Sequence, residues 1–92
     1  MPILNSQVTL SNTVPTEIVG MHNMPHDVQL HNMTKSSNQF VHIGNADMTL
    51  TNSIHIDPGE TVTLTLGPND VLFGMSDPDG LKVGVLDIRK AQ

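Results

Sequence analysis

Cysteine, tryptophan and tyrosine do not occur in this 92-residue sequence, and Phe40 and Phe73 are the only aromatics. Without cysteine there are no disulfides and no thiolate sites, the staples on which small secreted folds often depend. With two phenylalanines, ring stacking against sugars, the usual mode of a carbohydrate-binding β-sandwich, has almost nothing to work with. Basic residues are nearly as scarce: four Lys and Arg stand against nine Asp and Glu, for a net charge of −5. Phosphate backbones are gripped by clustered Lys and Arg, so direct nucleic-acid binding is not expected. No apolar run approaches the length of a membrane span, and no membrane role is expected. Met1-Pro2-Ile3-Leu4-Asn5 lacks the basic-then-apolar order of a signal peptide, which predicts synthesis in a cytoplasm.

Strong helix formers are rare too: two Ala, two Glu, three Lys and one Arg, against nine Thr and eight Asn. The core has to be aliphatic, supplied by nine Val, nine Leu and six Ile. That balance predicts an all-β chain. Ninety-two residues make one domain with a small core, so subunit association would help its stability.

The clearest strand is Thr61 to Leu66. Asp57-Pro58-Gly59-Glu60 turns into it and Gly67-Pro68-Asn69-Asp70 ends it. Strict alternation puts Val62, Leu64 and Leu66 on one face and threonines on the other. Three segments spaced twenty residues apart share an apolar-polar-Leu-polar-Asn form: Val8 to Asn12, Val28 to Asn32 and Met48 to Asn52. Each reads as a short strand ended by an asparagine that tolerates the left-handed region. Glu17 to Val19, Phe40 to Gly44 and Thr61 to Leu66 follow them as partners in hairpins or arches. Val71 to Met75 is a further strand, and Asp77-Pro78-Asp79-Gly80 predicts a hairpin onto Leu81 to Ile88. In that last segment Leu81, Val83 and Val85 hold one phase while Leu86 and Ile88 take the other. Either a bulge shifts the phase or both faces are covered. The expectation is a small β-sandwich or jelly-roll-like barrel of about seven to nine short antiparallel strands, in one domain spanning residues 8–92. Residues 1–7 precede it as an N-terminal arm or edge strand.

Candidate chemistry is thin. His22 and His26 flank Met24-Pro25 beside Met21, and thioethers next to imidazole suit Cu(I); the alternative is a loop whose methionines pack on a neighbour. His31, His42 and His55 occupy outward strand positions, as solvated or interface residues. No local spacing among them supports zinc. Asp77-Pro78-Asp79-Gly80 faintly resembles a calcium loop but lacks its ligand series, and a tight turn explains it. Asn32-Met33-Thr34 matches a glycosylation sequon. No nucleophile motif or phosphate-cradling loop is present, so neither catalysis nor a cofactor nor a bound metal is expected. What remains is surface. Ile3, Leu4, Met21, Met24 and Met33 are the candidate interface residues, apolar or adaptable side chains set among polar neighbours.

One resemblance adds to this. Phe40-Val41-His42-Ile43-Gly44, Met48-Thr49-Leu50-Thr51-Asn52, Ile54 through Val62 and Val71-Leu72-Phe73-Gly74 are similar to small virion proteins of tailed bacteriophages. The similarity spans about residues 39–75, with a less specific match in the final strand. The Met/His-rich segment departs from that pattern. The resemblance implies a β-sandwich module on the virion, most like the capsid decoration or cement proteins that bind as trimers at capsomer junctions. It therefore implies the major capsid protein and copies of itself as partners. A tail, neck or fibre component is the rival within the virion.

Overall fold

The computed structural model describes residues 3–89, apart from the side chains of Ile3, Leu4 and Arg89. Eight strands and their turns make up this part of the chain, and no helix forms within it. They are β1 (Ile3–Thr9), β2 (Thr16–Val19), β3 (His26–Asn32), β4 (Phe40–Gly44), β5 (Ile54–Ile56), β6 (Thr61–Leu66), β7 (Leu72–Asp77) and β8 (Lys82–Arg89). Two four-stranded sheets hold them in the orders β1-β8-β3-β6 and β2-β7-β4-β5. The antiparallel pairs β1–β8, β2–β7, β3–β6 and β4–β5 nest around the β4–β5 connection. A long hairpin folded over on itself in this way is a jelly roll.

Most turns therefore act as arches. Only β4 and β5 are successive strands that pair with each other, and every other connection crosses between sheets. The hairpin expected at Asp77-Pro78-Asp79-Gly80 does not form, because β7 and β8 lie in opposite sheets. The turn instead docks on the β1–β2 connection. Gly80 N donates to Leu10 O at 2.9 Å, and Asn12 N donates to Asp79 Oδ1 at 2.9 Å. Gly80 sits at φ 86°, where a side chain would be strained.

The interior is aliphatic, as the composition requires. Val28, Leu30, Val83 and Val85 of one sheet face Ile18, Val41, Ile43, Ile56 and Leu72 of the other. Phe40 and Phe73 stay outside this cluster. Val62, Leu64 and Leu66 are only half-buried because β6 is a sheet edge. Gly74 marks the tightest approach: a Cβ there would lie 2.3 Å from Ile18 Cδ1 and 3.2 Å from the His42 carbonyl oxygen. Gly74→Ala is expected to destabilise the fold by about 1–3 kcal/mol through overpacking, read from urea unfolding.

The twenty-residue repeat does not correspond to a repeated structure. Its first copy runs off the end of β1, its second lies in β3, and its third, Met48 to Asn52, is a loop. Local bonds win there over a strand ladder: Thr49 N donates to Asn52 Oδ1 at 2.6 Å and Asn52 N to Thr49 Oγ1 at 3.2 Å. The loop lays Met48 against Gly44, with Met48 Cβ 3.0 Å from where a Gly44 Cβ would stand. None of the three asparagines adopts positive φ; among the described non-glycine residues only Asn69 does, at 68°.

Candidate functional site

Strand β3 alternates inward at His26, Val28, Leu30 and Asn32, so its buried row is polar at both ends. Asn32 is fully buried and ties three segments together. Its Nδ2 donates to the carbonyls of Gln39 at 3.0 Å and Ile56 at 2.8 Å, while its Oδ1 accepts from Thr34 N and Thr34 Oγ1. A side chain committed in this way is closed to glycosylation in the folded chain, sequon or not.

At the other end, His26 is fully buried and its Nδ1 lies 2.6 Å from Asp87 Oδ1. The contact is short enough for a charge-assisted hydrogen bond. His26 Nε2 is buried with no hydrogen-bond partner among the described residues. This pair explains the phase break in the last strand. β8 pairs in continuous register with β1 and β3, so no bulge exists. Asp87 simply continues the inward row of Val83 and Val85, which leaves Leu86 and Ile88 on the outward face. Asp87 also lines an inter-sheet cavity of about 270 Å³ whose walls include Asn5, Ser6, Ile18 and Val19. The signal was available in the sequence: His26 lies in phase with Val28 and Leu30, and Asp87 with Val83 and Val85. Grouping His26 with the Met/His loop hid it.

His22 is half-buried with its ring 5.3 Å from that of His26 in an edge-on contact. Among the described residues no three His, Asp or Glu side chains gather as a metal site would need.

A second histidine cluster lies on the outer face of the β2-β7-β4-β5 sheet. His42 stands opposite His55, with ring centroids 6.0 Å apart, and His55 meets Phe40 edge-on at 5.3 Å. The outward phase expected for both holds, yet His42 is buried, because the β4–β5 connection places Ser53 Oγ 3.1 Å from its Nδ1. Burial lowers the His42 pKa below its ordinary value, the His55 charge lowers it further, and Asp77 opposes both. Protons consequently bind the unfolded chain first. The stability linked to His42 is complete above about pH 6.5 and is lost as pH falls through the lower folded-state value. His42→Gln is expected to flatten that part of the stability–pH curve, measured by urea unfolding between pH 7.5 and 5.

The structure scatters the candidate interface residues. Met21, in the β2–β3 connection, is 65% exposed, and Met33, just after β3, is 41% exposed. Met24 is half-buried in the same connection as Met21. Ile3 and Leu4 belong to β1 and pair with Ile88 and Asp87, but their side chains lie outside the described ones. Val14 at 60% and Ile54 at 68% exposure are further apolar residues on the surface that sequence reasoning passed over. Ile54 escaped notice because alternation with Ile56 suggested a buried partner, whereas only Ile56 is buried.

No protein-family model matches the chain, and no curated protein does. Among solved structures it is similar to a chain of the Bacillus endospore appendages, which are described as a novel family of disulfide-linked pili. The TM-score is 0.55 and the identity 13%, over 97% of this chain and 89% of that one. At that identity the likeness speaks for the fold alone.

Proposed function

We propose that this chain is a non-catalytic structural subunit that works by associating with copies of itself and with a larger assembly. The observation that carries the reading is apolar surface outside a small core: Val14, Met21, Met33 and Ile54 are all exposed on a jelly roll with free strand edges. Such side chains favour protein contact, and oligomer closure protects edges. The finer reading is a capsid decoration protein of a tailed bacteriophage, a homotrimer bound to the major capsid protein at capsomer junctions. The resemblance of residues 39–75 supports it. Many copies on one lattice would convert weak single contacts into firm retention.

The fold likeness to an endospore appendage chain favours a second reading, a filament subunit. Disulfide linking is closed to this chain, which has no cysteine, so its filament would be non-covalent.

Light scattering, negative-stain microscopy and binding to phage shells lacking decoration protein separate the two. Trimers that coat shells support decoration, and self-assembled fibres support the filament. A monomer that does neither overturns both. Replacing Met21, Met24 and Met33 together with serine is expected to weaken association at least tenfold while leaving a folded monomer. Unchanged assembly would remove those methionines from the interface.

A further inference from the structure

We propose that the outer face of the β1-β8-β3-β6 sheet carries a binding site for a neutral saccharide, centred on Gly84. Strand register builds it. Gly84 stands between Gln7 of β1 and His31 of β3, and His31 stands beside Thr61 of β6. In the next outward row Leu86 lies between Asn5 and Gln29. The missing side chain at Gly84 leaves two strand spacings, about 10 Å, between the Gln7 and His31 side chains. The result is a hollow of about 360 Å³.

Its lining selects the ligand class. Among the described residues no Asp, Glu, Lys or Arg lines the hollow, although the chain carries a net charge of −5. Phosphorylated and cationic ligands would find no counter-charge there. The polar groups are the exposed amides of Asn5, Gln7 and Gln29, with the Thr61 hydroxyl and the His31 imidazole. A carboxamide offers two donors and an acceptor, which suits vicinal hydroxyls. His31 Nδ1 lies 3.0 Å from Thr61 Oγ1, which fixes the ring and leaves Nε2 for the ligand. Met33 and Leu86 supply the apolar contact that a sugar's C–H face needs; Met33 Sδ lies 3.4 Å from where a Gly84 Cβ would stand. A peptide cannot add to the sheet here, because β8 and β3 are inner strands with both edges paired. The scarcity of aromatics excludes the stacking mode of sugar recognition, whereas this site works through amide hydrogen bonds. Affinity per site is accordingly weak, near 1 mM.

The test is amide NMR of the whole chain titrated with maltotriose, mannotriose and triacetylchitotriose, each to about 10 mM. At least one is expected to shift the amides of Gln7, Gln29, His31, Gly84 and Leu86. Gln29→Ala is expected to weaken binding about three- to tenfold. Gly84→Val fills the hollow, and its added Cβ meets Met33 at ordinary van der Waals distance. Because valine suits a strand interior better than glycine, the variant should melt no lower than the parent while binding falls at least tenfold. No response around Gly84 to any of the three sugars, or unchanged binding by folded Gly84→Val, would overturn the proposal.

Discussion

Replacing Asp87 with alanine is expected to lower the free energy of unfolding by about 3–5 kcal/mol, among the largest effects of any single change to this chain. Its carboxylate sits 2.6 Å from Nδ1 of a fully buried imidazole whose Nε2 has no partner among the described residues. Removing the carboxylate takes from the buried His26 ring its Asp87 partner, and a buried ring nitrogen left unpaired costs its desolvation. The reverse change, His26→Ala, adds a cavity to the loss and should cost a similar amount. A control separates pairing from packing. When both partners become leucine no buried polar group is left behind, so the double variant should recover much of the loss. Urea unfolding of the two single variants and the double variant forms a cycle whose coupling energy isolates the pair. Single variants within about 1 kcal/mol of the parent would mean that water reaches the pair and satisfies it.

Asn32→Ala should cost about 3 kcal/mol. The Gln39 and Ile56 carbonyls would each lose a donor, at about 1–3 kcal/mol for a buried group left unpaired. Asn32→Asp should be worse despite its near-identical shape, since it turns an acceptor oxygen toward those two carbonyls. Thr34→Ala is the mild comparison, because its backbone N–H still reaches Asn32 Oδ1. Measured stabilities should run parent, Thr34→Ala, Asn32→Ala, Asn32→Asp. An Asn32→Ala chain as stable as the parent would remove this residue as the tie between the sheets.

Both positions show how legibility divides. Seven of the eight strands overlap apolar-alternating segments, because alternation is a property of neighbouring residues and needs no partner to be seen. Thr61 to Leu66 appears in the structure with the bounds read from its turns. Met48 to Asn52 failed as a strand because Thr49 and Asn52 bond to each other's backbone, a competition that apolar spacing does not register. The candidate site was legible only in part. Met21 and Met33 are exposed, as an interface requires, yet His26, read as part of a loop, is a strand residue in the core. His42 kept its outward phase but lost its solvent to Ser53 and the connection that carries it.

By itself the sequence determined the all-β class, the aliphatic core and the acidic, cysteine-free surface, since each follows from composition or from contacts between near neighbours. The tertiary structure alone decided that the Pro-Gly and Pro-Asp turns are arches, that β8 pairs with both β1 and β3, and that Asp87 faces His26. Those choices join residues far apart in the sequence, Ile3 with Ile88 and His26 with Asp87 among them. A buried aspartate is tolerable only where another strand delivers its partner, and no local pattern records which strand that is.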